Sequence, residues 1–151
     1  QKRKEKKGIT VIYLGDAALE EGIFHECANF SSLHNLPLLI VCENNLFSVY
    51  TELKKRQIDD NFKRYADTFK IPYLRLDGNK VDHVYKMSKK AVDHVRLGKG
   101  PFFLQLDTYR FREHCGPSYD DHLNYRNKKE VSKWMKKCPI QYSRKILKKT
   151  V

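Results

Sequence analysis

Two apolar runs lie near the start of the chain, with a helical pattern between them. Ile9–Leu14 reads ITVIYL, a continuous apolar and β-branched run that stops at Gly15 and Asp16. Leu38–Cys42 reads LLIVC and stops at Glu43, Asn44 and Asn45. Runs of this length without polar alternation suit strands buried on both faces. From Leu19 to Leu33 apolar residues recur at helical spacing, with Ile23, Cys27 and Phe30 on one stripe and Phe24 and Ala28 beside it. Strand, helix, strand predicts a parallel βαβ unit.

The alternation continues down the chain. Asp59–Lys70 predicts a helix with Phe62, Tyr65, Ala66 and Phe69 on one side. Tyr73–Leu76 predicts a short strand, closed by a turn at Asp77-Gly78-Asn79. Val81–Val95 is amphipathic, with Val81, Val84, Tyr85, Ser88, Ala91, Val92 and Val95 on one face, and Gly98 to Gly100 ends it. Phe102–Leu106 predicts another strand, followed by a long polar loop over Arg110–Arg126. Asn127 and Glu130 have the spacing of a capping box, opening a helix through Val131, Trp134 and Met135, and a last helix follows Pro139. The expected fold is α/β, a three-layer domain over residues 1–151 with a mainly parallel sheet flanked by helices. In such sheets ligands sit beyond the carboxyl ends of the strands. Three polar strand exits then become candidate sites: Gly15-Asp16, Glu43–Phe47 and Asp107–His114.

Composition changes this picture little. Hydrophobic residues make up 40% of the chain, enough for a real core in 151 residues. No apolar run approaches the length of a membrane span, so no membrane partner is expected. Lys and Arg exceed Asp and Glu by 30 to 18, a net charge of +12. The cations are scattered apart from Gln1–Lys7, Lys54–Arg56 and Lys136–Lys149, and no nucleic-acid signature accompanies them, so they are read as solvated helix faces. The four cysteines form no C-x-x-C pair; Cys27 and Cys42 are expected to pack as small hydrophobes, and the expected location is a reduced cytoplasm, in preference to an organelle matrix. The chain starts at Gln1 rather than Met and is read as part of a longer protein.

The first two exits carry the chemistry. In a parallel βαβ unit Asp16 and Asn45 end neighbouring strands, and each offers a hard oxygen, one carboxylate and one amide carbonyl. That pair suits Mg²⁺ or Ca²⁺, with phosphate oxygens and water completing the shell. A helix starting near Leu19 would also aim its N-terminal amides at a bound anion. For an isolated Asp and an Asn-Asn pair, a helix cap and a turn explain the same residues.

The stretch Gly15-Asp16-Ala17-Ala18-Leu19-Glu20-Glu21-Gly22, then Phe24, Glu26 and Asn29, then Leu36-Pro37, then Cys42-Glu43-Asn44-Asn45, resembles the thiamine-diphosphate motif of the alpha subunits of 2-oxo acid dehydrogenases. Thr108-Tyr109-Arg110-Phe111 with His114, and Tyr125-Arg126, resemble the later part of the same subunits. The resemblance spans about Ile9 to Ile140. It implies thiamine diphosphate and Mg²⁺ as cofactors, with Asp16, Asn45 and the main-chain carbonyl of Phe47 as metal ligands. It implies backbone amides of Ala17 and Ala18 against the diphosphate, His114 as the active-site histidine, and Arg110 ordering its loop. Ala17 departs from the family's usual Gly, which would cost energy if the turn needs a positive φ. Cys115 stands where animal relatives carry a regulatory serine, so that phosphorylation switch is not expected. The implied activity is oxidative decarboxylation of a 2-oxo acid with acyl transfer to a lipoyl group on an acyltransferase. The implied assembly is alpha2-beta2, the beta subunit supplying the glutamate that activates the cofactor. The family's N-terminal portion is absent from the chain, so alone it is expected to turn over nothing. Two other readings stay open: a catalytically inactive basic interaction module derived from this fold, and another thiamine-diphosphate class such as a transketolase half. The TYRF…H segment argues against the second.

Overall fold

A computed structural model describes residues 8–150, without the side chains of residues 149 and 150. The charged run Gln1–Lys7 lies outside the described residues. Among the described residues six strands form in chain order: β1 (Thr10–Gly15), β2 (Leu38–Asn44), β3 (Phe47–Ser48), β4 (Thr51–Glu52), β5 (Tyr73–Asp77) and β6 (Phe102–Asp107). The helices are α1 (Gly22–Leu33), α2 (Lys63–Thr68), α3 (Val81–Arg96), α4 (Lys128–Met135) and α5 (Pro139–Thr150). β1, β2, β6 and β5 lie side by side in that order, all parallel, and β3 and β4 form a small antiparallel hairpin.

Strand side chains alternate between two cores, as the period of two requires. Ile40, Cys42 and Phe103 face one side, where they meet Leu19, Phe24 and Ala28 and, from the α2 segment, Phe62 and Ala66. Leu39, Val41 and Leu104 face the other, against Ala91 and Val95 of α3. This gives the expected three layers around a parallel sheet.

Five sequence expectations need correcting. β1 is not buried on both faces: Val11 is 38% and Tyr13 72% exposed, because α3 packs chiefly on β2, β6 and β5. The inward stripe of α1 is Phe24, Ala28 and Ser31, while Ile23, Cys27 and Phe30 face outward. Two apolar stripes run about 100° apart on this helix, and the 3-10 turn Asp16–Glu20 ahead of it sets which one meets the sheet. In α3, Val81 and Tyr85 are exposed, and the residues it buries are Ala91 and Val95 nearer its C-terminal end. The expected capping box is half formed: Asn127 Oδ1 accepts from the Lys129 amide at 2.8 Å, and Glu130 lies beside the Tyr109 hydroxyl. α2 starts later than the pattern predicts, because Asp59 and Asn61 accept backbone amides of Asn61 and Lys63 and hold that stretch in turns.

Gln105 locks the α2 segment to the sheet. It is 0% exposed inside β6. Its Oε1 accepts from the Phe62 amide at 3.0 Å and the Tyr73 hydroxyl at 2.6 Å. Its Nε2 donates to the Asp60 carbonyl and to Asp107 Oδ1, both at 2.8 Å. Every hydrogen-bonding position of the buried amide is used, which is what such a group needs to avoid a desolvation penalty.

Candidate cofactor and metal site

The registers place the two expected strand exits together. Gly15 pairs with Glu43 across β1 and β2, so Asp16 and the Asn44-Asn45 pair leave the sheet side by side. Asp16 opens the 3-10 turn, which packs against β2 and β3. Neither that turn nor α1 has a side-chain cap, so Asp16 is not serving as a helix cap. α1 begins only at Gly22, so the amides nearest Asp16 belong to the 3-10 turn and not to the α1 terminus.

Asp16 is 1% exposed. Burial pushes its carboxyl above the usual range, opposed by Arg56 and by the Asn45 amide. One oxygen, Oδ2, accepts from Arg56 Nη2 at 2.5 Å. The other, Oδ1, is buried and has no hydrogen-bond partner among the described residues. A bare hard oxygen at a polar strand end is what a hard divalent cation takes. Asn45 Oδ1 accepts the Phe47 amide at 3.0 Å, and Asn44 Oδ1 accepts the Leu46 amide at 3.2 Å. Both asparagines therefore shape turns, and Leu46 between them and Phe47 has φ +71°. Asn44 also donates to Asp107 Oδ1 at 3.3 Å, which links this exit to that of β6. Among the described residues no three His, Cys, Asp or Glu side chains converge on one point, so protein groups alone would not fill a metal's shell here. Cys42 lies below the site, and burial followed by the Asp16 and Asp107 charges pushes its thiol up, away from thiolate chemistry.

Among known proteins, the dehydrogenase E1 component family matches residues 1–151. The chain belongs to that family. A 2-oxoisovalerate dehydrogenase subunit alpha from Bacillus subtilis (strain 168) is 33% identical over 149 residues, 98% of this chain and 44% of its own. A pyruvate dehydrogenase E1 component subunit alpha from Rhizobium meliloti (strain 1021) is 35% identical over 125 residues, 83% of this chain and 35% of its own. The chain thus spans less than half the length of these relatives. Among solved structures, a Pichia stipitis transketolase superposes with a TM-score of 0.54 at 20% identity, over 66% of this chain and 14% of that one. The E1 chain shares a fold with the transketolases, and its curated relatives are dehydrogenase alpha subunits.

The other residues of the expected E1 site fall in three places. Ala17 and Ala18 are half-buried in the 3-10 turn, and neither has a positive φ, so the turn does not require Gly at Ala17. Phe47 is buried in β3, its ring edge-on to Tyr125 at 5.5 Å and to Tyr109 at 6.3 Å. His114 is exposed in the loop after β6, and it has no hydrogen-bond or ion-pair partner among the described residues. That loop is tied down at its ends. Arg110 donates to the Val49 carbonyl at 2.6 Å and to the Tyr125 hydroxyl at 3.1 Å, holding the loop against the β3–β4 hairpin. The ordering role expected for Arg110 has this physical basis.

Sequence reasoning missed Arg56, Gln57 and Glu20. Arg56 was counted in the charged run Lys54–Arg56, yet its side chain is only 12% exposed and bridges Asp16 and Glu20. Gln57 donates to the Asp16 carbonyl at 3.1 Å and to Glu20 Oε1 at 2.6 Å. Glu20 is the second anchor of this cluster. No spacing rule exposes it, because the partners lie far apart in sequence and meet only through the β3–β4 hairpin.

Proposed function

We propose that this chain is the part of a 2-oxo acid dehydrogenase alpha subunit that holds the Mg²⁺–diphosphate end of thiamine diphosphate. The observation that carries the reading is the buried Asp16 carboxylate with an unpartnered oxygen, set beside Asn45 at adjacent parallel strand ends. On this reading Asp16 and Asn45 hold the metal through side-chain oxygens, and Phe47 through its carbonyl. The amides of Ala17 and Ala18 face the diphosphate, which the open space around Gly15 favours, since nothing lies within 4 Å of where a Cβ would stand. When bound, the cofactor supplies a carbanion and an electron sink for decarboxylation. His114, on a loop anchored at both ends, serves the reacting end, and its exposure leaves it free to meet substrate or a lipoyl carrier.

The substrate is a 2-oxo acid, and the acyl acceptor a lipoyl group on an acyltransferase partner. The activating glutamate comes from a beta subunit in an alpha2-beta2 assembly, as the relatives' designation as alpha subunits supports. A cytoplasmic location accompanies the reading, in keeping with the bacterial sources of these relatives and four free cysteines.

The test is calorimetric titration of thiamine diphosphate, with and without Mg²⁺, into the complete protein assembled with its beta subunit. Mg²⁺-dependent binding that disappears in Asp16→Ala supports the assignment. Metal-independent binding, or binding that survives Asp16→Ala, removes Asp16 from the site. No binding at all brings forward the inactive interaction module.

A further inference from the structure

We infer that Arg56 is a resident cation on Asp16 Oδ2 that competes with a divalent metal for the carboxylate. The inference rests on the reading of Asp16 as a metal ligand. The guanidinium reaches Asp16 Oδ2 through Nη2 at 2.5 Å, Glu20 Oε1 through Nη1, and the Thr51 carbonyl through Nε at 3.4 Å. Its side chain is 12% exposed and that of Asp16 1%. An arginine keeps its charge at every working pH. A buried carboxylate with no partner is strongly disfavoured, so in metal-free protein the pair is held together by the cost of separating it.

The same contact opposes metal entry. Mg²⁺ demands near-octahedral hard oxygens, and a second cation on the same carboxylate repels it. Arg56 has somewhere to go. Glu20 is 29% exposed in its side chain and already accepts from both Arg56 and Gln57, so the guanidinium can leave Asp16 without losing an anionic partner. The cluster therefore has two states. In one, Arg56 bridges Asp16 and Glu20. In the other, it pairs with Glu20 alone and both Asp16 oxygens are free. The apparent metal affinity is the intrinsic affinity scaled by the fraction of molecules in the second state.

The experiment uses the metal-stripped complete protein with its beta subunit, and Mn²⁺ as the probe, alone and with thiamine diphosphate added. Binding is read by electron paramagnetic resonance and stability by thermal melting, for wild type, Arg56→Gln, Arg56→Lys and Asp16→Ala. Expected is an opposed pair of effects in Arg56→Gln. It melts lower without metal, because Asp16 loses its partner. It binds Mn²⁺ about tenfold more tightly than wild type, and gains more melting temperature from Mn²⁺. Arg56→Lys, which keeps the charge but loses the fork, falls between the two, and serves if Arg56→Gln does not fold. Unchanged or weaker Mn²⁺ binding in the Arg56 variants overturns the displacement model while leaving the metal assignment intact, provided Asp16→Ala still abolishes binding. Failure of wild type and Arg56 variants alike to bind Mn²⁺, with thiamine diphosphate added as well as without it, overturns the metal assignment itself, and the inference with it.

Discussion

Replacing Asp120 by Ala should release the loop that carries His114. Asp120 and Arg126 form an ion pair with both side chains 2% exposed. Asp120 also accepts from the Tyr125 hydroxyl at 2.6 Å, and Arg110 lies 3.5 Å from the same carboxylate. Removing one partner of a buried pair typically costs about 3–5 kcal/mol. Arg126 would retain the Arg110 carbonyl and the half-exposed Asp121 at 3.0 Å, which places the loss near the lower end, about 3 kcal/mol. Asp120→Asn keeps an acceptor and should cost less, about 1–3 kcal/mol. Because the pair closes one loop, the loss appears first as local opening. The assay is hydrogen exchange over residues 110–126 of the complete protein, beside thermal melting. Protection of the loop should collapse in Asp120→Ala while that of β2 and β6 persists. The same pair sets a pH dependence. Burial alone would raise the Asp120 carboxyl, but the Tyr125 hydroxyl and the Arg126 and Arg110 charges outweigh it and hold it below the usual range. A depressed folded value means the contribution is complete above the unfolded carboxyl's range, about pH 3.9, and fades as pH falls through the folded value. Wild-type loop protection should therefore decline in acid, and the variant should lack that decline. Undiminished loop protection in Asp120→Ala at neutral pH would refute the argument.

Two further variants separate folding from binding. Gly15→Ala should leave stability within about 0.5 kcal/mol, because Gly15 has an ordinary φ of −80° and open space where the Cβ would stand. Calorimetry should nevertheless show weaker thiamine diphosphate binding, since only a ligand needs that space. Val49→Gly should raise stability by about 1 kcal/mol in thermal unfolding, because Val49 holds φ +51° at the tip of the β3–β4 hairpin, where a β-branched residue is strained. A lowered melting temperature would show that Val49 packing outweighs its backbone strain.

The strands were legible because burial on both faces leaves a local signature: Leu39 to Cys42 are all buried, and the run is unbroken in sequence. The open face of β1 was not, since Val11 and Tyr13 read the same whether or not a helix covers them. The setting of α1 was not either, because Ile23-Cys27-Phe30 and Phe24-Ala28-Ser31 are both acceptable inward stripes, and only the 3-10 turn Asp16–Glu20 decides between them. At the candidate site, a rule about strand ends, which needs only topology, already places Asp16 and Asn45 at neighbouring exits, as the register has them. Arg56 needed geometry. In a chain carrying a formal +12, one more basic residue in a Lys-Lys-Arg run carries no information. What distinguishes it is that the β3–β4 hairpin turns it inward onto Asp16, while Lys54 beside it stays 76% exposed and pairs with Glu52 at 2.8 Å. Charge is countable in a sequence, but whether a given charge is solvated or neutralises a buried partner depends on contacts between distant segments. Arg126 stands out in sequence only through the Tyr125-Arg126 resemblance and Arg56 only as one of a basic run, and in neither case does the sequence show the buried carboxylate that each one neutralises.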